Sequence, residues 1–398
     1  MSRAVPLSHL FSVAVLVLTL SSTAWGGALN RPAAVGTRDI GLGGDPDGLK
    51  LQDNLASRTQ LTDTWANATV ELVSPHFTYT TTYGKKISSA TAIAPMPYLQ
   101  YGRPLNDWLA FGVGVQTTYG LGSKFDNNPQ QLGYDTETMI ASVSTVPSLA
   151  AKVNDHLSLG TGLILGMAQF LYKAPFDING HPLPIYTDNT AYGLGLGVGF
   201  GATYDFDNGV LLGLNWMSAV KAHLDGRSTI WAGPFGVRDD FDSSFTFPAR
   251  LDAAVAWKLS DRLLLTGNCY FVNYSETPND MTLKFKELGI NKTNAMNWKD
   301  NMSVNLGASF KATDRWTVRG GTGYMTKAIP DDKVNTLTLD TPGWDVTAGT
   351  SYKFTDTFTL DASVTHGWGK NDVDKGIRGE EKYTAAITTF AVAGNFSF

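Results

Sequence analysis

The closing stretch, KYTAAITTFAVAGNFSF from Lys382 to Phe398, limits what this chain can fold into more than any other. From Thr388 onward the even positions read Thr388, Phe390, Val392, Gly394, Phe396 and Phe398, and the odd ones Thr389, Ala391, Ala393, Asn395 and Ser397. Successive side chains of a strand leave on opposite faces, so one face meets an apolar medium and the other meets water or closely packed small groups. The strand stops on an aromatic, Phe398. That ending suits the last strand of an outer-membrane barrel, whereas a soluble sandwich more often trails into a polar tail.

The N-terminus agrees. Arg3, an apolar run from Leu10 to Leu20 and the small residues before Gly26 read as a signal peptide over residues 1–26. The run is far shorter than the ~20 residues of a membrane-spanning helix, and no later segment is long and apolar enough to be one. Charged residues make up only 17% of the chain, against roughly 25% in soluble domains, while glycine reaches 41 residues. A formal charge of −5 is too mild to imply a nucleic-acid partner. The single cysteine, Cys269, permits no internal disulfide and reads as a small apolar filler.

Residues 27–68 are rich in Gly, Asp and Asn and show no convincing strand. From Thr69 one module repeats: strand, tight turn, strand, longer loop. The tight turns are Asn106-Asp107, Asn154-Asp155, Asp207-Asn208-Gly209, Ser260-Asp261, Asp314-Arg315 and Thr355-Asp356-Thr357. Longer polar segments alternate with them: 84–89, 123–138, 174–190, 229–244, 277–299, 330–343 and 372–381. Six short and seven long connections join fourteen strands, the pattern of a transmembrane antiparallel β-barrel with short periplasmic turns and long outer loops. The all-β barrel is expected over residues 69–398, with residues 27–68 inside it as a plug. An open strand edge in hydrocarbon costs several kcal/mol per unsatisfied backbone group, so Thr69–Thr82 must pair with Lys382–Phe398.

Alternation then assigns faces. In Ser303–Lys311 the outward set is Val304, Leu306, Ala308 and Phe310. In Phe245–Leu259 it is Phe245, Phe247, Leu251, Val255, Trp257 and Leu259, with Arg250, Asp252 and Lys258 inward. The reverse register would place cations in lipid at ~2 to 4 kcal/mol each near the midplane. Trp108, Trp316, Trp344 and Trp368 fall where interfacial girdles belong.

Motifs for chemistry are weak. The glycines Gly193, Gly195, Gly197, Gly199 and Gly201 alternate along one strand instead of opening a helix, so they mark lumenal space and not a phosphate loop. Asp45-Pro46-Asp47-Gly48 lacks the later ligands of a calcium loop. The histidines have no metal-ligand spacing, and no serine sits in a nucleophile motif, so neither an enzyme nor a cofactor or metal is expected. Inward positions are mostly Gly, Ala, Ser and Thr with Ile164, Phe170 and Tyr270, unlike the charged rings of a wide ion-selective pore. Arg250 and Arg319 are placed either to pair a ligand carboxylate or to form salt bridges with Asp252, Asp361 or the plug.

At this point the residues resemble a known family. Gly213–Ser228, GLNWMSAVKAHLDGRS, is similar to a strand of the FadL-type outer-membrane transporters of long-chain fatty acids and, in the TodX branch, aromatic hydrocarbons. WTVRGGTGYMTKAIPDD, WDVTAGTSYKF and His366-Gly367 follow in the family's order. The resemblance implies a fourteen-stranded barrel in the bacterial outer membrane, closed by an N-terminal hatch. Family hatches carry glycines and then Asn-Pro-Ala; here Gly36, Gly41, Gly43 and Gly44 precede Asn54-Leu55-Ala56, so Asn54 and Ala56 match and the proline does not.

It further implies passive uptake of a hydrophobic small molecule, captured near the outer loops and released sideways through a kink in the third strand. That strand is Trp108–Leu121, with Gly112 and Gly114 as the expected lateral gate and Asn54 bonding the backbone freed there; alternatively, the two glycines make room for the plug. Arg250, Arg319, Phe170 and Tyr270 are the expected lumenal ligand contacts. Phe398 is expected to signal assembly. Expected partners are outer-membrane lipid, lipopolysaccharide and the barrel assembly machinery, around a monomer. A general porin or a surface binding protein is the alternative.

Overall fold

A computed structural model describes residues 54–178, 181–275, 280–374 and 379–398. The expected signal peptide and most of the expected hatch, including Gly36, Gly41, Gly43 and Gly44, lie outside the described residues. A 3-10 turn over Leu55–Gln60 leads into nineteen strand segments that form one sheet. Five staves of the barrel are broken in two, so nineteen segments make fourteen antiparallel staves.

The first four staves are β1 (Trp65–Thr80), β2 (Lys86–Ser88) with β3 (Ala94–Pro104), β4 (Leu109–Asn128) and β5 (Tyr134–Lys152). Staves five to eight are β6 (Leu157–Ile178), β7 (His181–Asp205), β8 (Val210–Met217) with β9 (Val220–Ala232), and β10 (Phe235–Phe247) with β11 (Ala249–Lys258). Two more broken staves follow, β12 (Leu263–Asn273) with β13 (Asp280–Phe285), and β14 (Asn291–Ala295) with β15 (Asn301–Lys311). Then come β16 (Trp316–Met325), β17 (Gly343–Thr355), β18 (Phe358–Asp374) and β19 (Glu380–Ser397).

The barrel closes by pairing β1 with β19, from Trp65 against Ser397 to Thr80 against Lys382. The Phe398 N–H reaches past the last pair to the Thr64 carbonyl at 2.9 Å. On β19 the greasy face is turned out, with Phe390, Val392, Phe396 and Phe398 all exposed. The opposite face of β1 and β19 carries a polar chain that crosses the seam. Asn67 donates to Asn395 at 2.8 Å, and Asn395 donates to Asp361 at 2.9 Å.

The strands run further than the polarity of the sequence indicates. The segments read as loops at 123–138, 174–190 and 229–244 are largely ladder, as β4 pairs β5 out to Asn128 and β9 pairs β10 out to Ala232. A polar stretch marks where the wall leaves lipid; it does not end pairing, because ladder hydrogen bonds remain net favourable in water, by roughly 0.5–1.5 kcal/mol each.

One face assignment needs correction. Phe245 and Phe247 were expected outside, yet they are 4% and 1% exposed and point into the lumen, while Leu251, Val255, Trp257 and Leu259 are exposed as expected. The cause is Pro248, which belongs to neither β10 nor β11. Proline has no N–H for the ladder, and the interruption shifts the alternation by one residue. The neighbouring stave breaks at the same level, between Met217 and Val220.

In detergent the protein is expected to give a β-rich circular dichroism spectrum and to change gel mobility on boiling. Deleting Phe398, which removes an apolar contact with lipid and the bond to Thr64, is expected to lower the yield of the heat-shifted folded form.

Candidate transport path

At the outer end of the barrel, alternate positions of β4, β5 and β6 turn Leu121, Ile140 and Phe170 inward around a cavity of about 620 Å³. Met281, Met296 and Trp298 complete its apolar wall, and Gln131, Thr138, Asn335, Asp332 and Lys333 give it polar groups. The last three belong to the connection between β16 and β17, residues 326–342, which folds into the mouth so that Ile329, Val334 and Leu339 are buried. Asp340 shapes this connection by accepting from the Ala328 and Ile329 N–H groups at 2.7 and 2.9 Å.

Its tip is held by the far wall. Asn128 donates to the Thr336 hydroxyl at 2.8 Å, Gln130 accepts from the Thr336 N–H at 2.9 Å, and Thr138 donates to the Leu337 carbonyl at 2.7 Å. The connection starts from staves eleven and twelve and is pinned to staves three and four, so it straps the mouth from side to side. Gln130 also donates to the Tyr383 hydroxyl at 2.9 Å, and Tyr383 donates to Glu381 at 2.7 Å.

Beside the cavity the wall is interrupted. The β3–β4 ladder runs from Pro104 against Ala110 to Tyr98 against Gln116 and then stops. The two staves touch again through the Ala90 N–H and the Lys124 carbonyl at 2.9 Å. Among the described residues, positions 117–123 of β4 have no ladder to the second stave. There β4 steps inward through a register shift between Thr117 and Tyr119. The resulting window is closed by one apolar cluster of Val73, Ala94, Met96, Met139 and Ala141, with Leu171 and Ile387 packed against it. Met139 and Leu171 also line the outer cavity.

The expected gate glycines lie elsewhere. Gly112 and Gly114 sit inside the intact ladder, opposite Gly102 and Gln100. A Cβ on Gly112 would lie 2.7 Å from Arg58 Nε, so this glycine admits the hatch. The bulge escaped sequence reading because QTTYGLGSK contains no clear apolar alternation whose phase could be seen to slip.

The lumenal segment from Asn54 to Gln60 is clamped to a different wall. Asn54 caps the 3-10 turn by accepting from the Ala56 N–H at 2.9 Å, and its amide donates to the Ala202 and Leu214 carbonyls, both at 3.0 Å. Asn54 therefore bonds backbone of staves six and seven and not of the third stave, as had been expected. Ala56 is fully buried beside it. Gly160 and Gly201 make this approach feasible: a Cβ would lie 2.5 Å from the Leu55 carbonyl carbon at Gly160 and 2.6 Å from Asn54 Oδ1 at Gly201. Gly195 serves another neighbour, the inward step of stave seven, where Lys221 O would lie 2.6 Å from its Cβ.

The four expected ligand contacts do not converge. Phe170 lines the cavity. Arg250 is held by Asp252 at 2.8 Å and lies 5.3 Å from the Tyr270 ring centre, away from the cavity lining. Arg319 is in a separate group, donating to Ser351, which in turn donates to Asp361. Leu121, Trp298 and Lys333 were not anticipated, because they reach the cavity from distant loops and staves. Among the described residues no group of three or more His, Cys, Asp or Glu could hold a metal ion.

With this geometry in hand, comparison with known proteins is informative. The chain matches the family described as outer membrane protein transport protein (OMPP1/FadL/TodX) over residues 8–397. It belongs to that family and is an outer-membrane protein. Outer membrane protein P1 of Haemophilus influenzae is 23% identical over 339 residues, 76% of this chain and 73% of the relative. The long-chain fatty acid transport protein of Escherichia coli is 23% identical over 330 residues, 70% of this chain and 72% of the relative. The crystal structure of a Pseudomonas aeruginosa FadL homologue aligns with 94% of this chain and 100% of its own, at a TM-score of 0.79 and 18% identity. That of the Pseudomonas putida toluene transporter TodX covers the same shares at a TM-score of 0.73 and 15% identity. At such identities the likeness to the solved structures is one of fold.

Replacing Gly201 with valine is expected to push the hatch off its seat. Overpacking of this kind costs about 1–3 kcal/mol, to be read as a lower thermal midpoint in detergent, with Gly114→Val, whose Cβ would meet nothing closer than 3.9 Å, as the milder control.

Proposed function

We propose that this chain is a passive channel that takes hydrophobic small molecules from the cell exterior through the cavity at the mouth and delivers them sideways into the outer membrane. The observation that carries the reading is the contact between cavity and window: Met139 and Leu171 belong to both, so an apolar molecule leaving the cavity meets apolar side chains all the way to the wall. An apolar ligand gains about 0.8 kcal/mol for each CH₂ removed from water, and release into the periplasm would forfeit that gain. Sideways release keeps it. Methionine suits a door, since its unbranched side chain changes rotamer easily and fills irregular space.

The substrate class follows the names of the relatives, among them a long-chain fatty acid transport protein and a toluene transporter. The cavity wall of Phe170, Trp298 and methionines suits either body, and Lys333 is the single cation among its lining residues. On the same reading the protein works as a monomer, is inserted by the barrel assembly machinery through β19 and Phe398, and holds its outer hairpins among lipopolysaccharide.

Filling the window with Met96→Trp is expected to cut uptake of a hydrophobic probe by cells severalfold while leaving the gel heat-shift and probe binding in detergent unchanged. Normal uptake by a folded Met96→Trp protein would rule out the window as the exit. Lys333→Ala is expected to weaken binding of a fatty acid by roughly tenfold, the scale of one charge-assisted hydrogen bond, and to leave toluene binding unchanged. Equal loss for both ligands would remove the lysine from substrate choice. On the same reading residues 27–64 plug the lumen, so the intact protein is expected to conduct ions poorly in planar bilayers, and their deletion to raise the conductance sharply; large steady channels from the intact chain would favour a general porin.

A further inference from the structure

Below the outer cavity two irregularities in opposite walls meet. Tyr119 follows the register shift in β4 and faces Ser142, deeper in the wall than the cavity residues Leu121 and Ile140. Its side chain crosses the lumen, and its hydroxyl donates to the carbonyl of Pro248 at 2.7 Å, a bond between residues 129 apart in sequence. Pro248 is the residue that interrupts stave eight, and it stands in no ladder of β10 or β11. The Tyr119 ring stacks on Phe247, with centroids 5.6 Å apart and planes 20° apart. Phe247 packs edge-on against Phe245, and Phe245 against the cavity residue Trp298. All three rings and Tyr119 are buried. On the far side lie Met217 and the hatch residue Leu55, which meet at Gly199.

We propose that Tyr119 is the residue that decides the direction of exit: its ring and its bond to Pro248 form a floor under the outer cavity, which leaves the window in the wall as the way out. This rests on the channel reading above. The arrangement has a physical logic. A barrel with fourteen staves is too wide for one wall to block alone, so a side chain must reach across and find a partner on the other side. A carbonyl that the ladder does not use is one such partner. Proline supplies the break, its carbonyl accepts, and tyrosine carries its donor at the end of a long rigid ring. Because Tyr119 lies at the edge of the window, between Gln116, where the ladder to β3 stops, and Ser123, the same bond also holds β4 in its inward step.

The test uses the full chain in intact cells, with the native thiol removed by Cys269→Ser and one new thiol placed on either side of the floor. Leu121→Cys reports the cavity and Met217→Cys the hatch side. Each is titrated with externally added methyl methanethiosulfonate, and folding is checked by heat-shift on gels. With Tyr119 present, Met217→Cys is expected to react at least roughly tenfold more slowly than Leu121→Cys; Tyr119→Phe, which deletes only the hydroxyl, is expected to recover up to about tenfold, the scale of one buried hydrogen bond. Tyr119→Ala is expected to bring the two positions close together, with Leu121→Cys unchanged throughout. Fast labelling of Met217→Cys in the Tyr119 protein, or a rate there that ignores both substitutions, overturns the proposal. A parallel uptake measurement with a hydrophobic probe keeps the two readings apart. If the Tyr119 protein takes up nothing, the channel reading fails; if it transports while Met217→Cys labelling ignores Tyr119, the floor alone fails.

Discussion

In hydrocarbon every backbone N–H and C=O must find a partner within the protein, and that requirement shapes the whole molecule. It forces β1 onto β19 and makes the wall a continuous ladder. It also makes each departure from the ladder conspicuous, since a freed group must be satisfied by something else. Among the departures in the upper half of this barrel are the stretch of β4 beyond Gln116, the step between β8 and β9, and the break at Pro248. The last two are compensated locally. Ser218 bonds Val198 through both its N–H and its hydroxyl, and Pro248 receives Tyr119. The proposed path thus lies where the periodic structure fails.

The glycines extend the same argument to the interior. A barrel of this width encloses space that must be filled or left open, and bare backbone determines which. On β6 and β7, Gly160, Gly199 and Gly201 admit the segment from Asn54 to Gln60, while Gly193, Gly195 and Gly197 admit the inward step of the next stave. One run of alternating glycines along β7 therefore serves two neighbours at different depths. Above both, the strap of residues 326–342 and the walls of β4 to β6 enclose the outer cavity.

The sequence alone determined the barrel. Period-two alternation, turn residues at Asn106-Asp107 and its five counterparts, and the outward greasy face of the last strand are local signals, and the need to pair backbone in lipid converts them into closure without further information. Alternation also turned the glycines of β7 toward the lumen, and the lack of a strand pattern before Thr69 set Asn54 inside the barrel. Tertiary structure decided what those local signals cannot carry. Alternation predicts a face only until the phase slips, and Pro248 turned Phe245 and Phe247 from the lipid side to the lumen by shifting it one residue. The window lies at positions 117–123 instead of Gly112 and Gly114 because a bulge depends on how β5 holds β4, not on which residues bend easily. Asn54 chose Ala202 and Leu214, and Tyr119 chose Pro248, because barrel width and strand stagger set which walls face each other across the lumen, and no spacing along the chain records that distance.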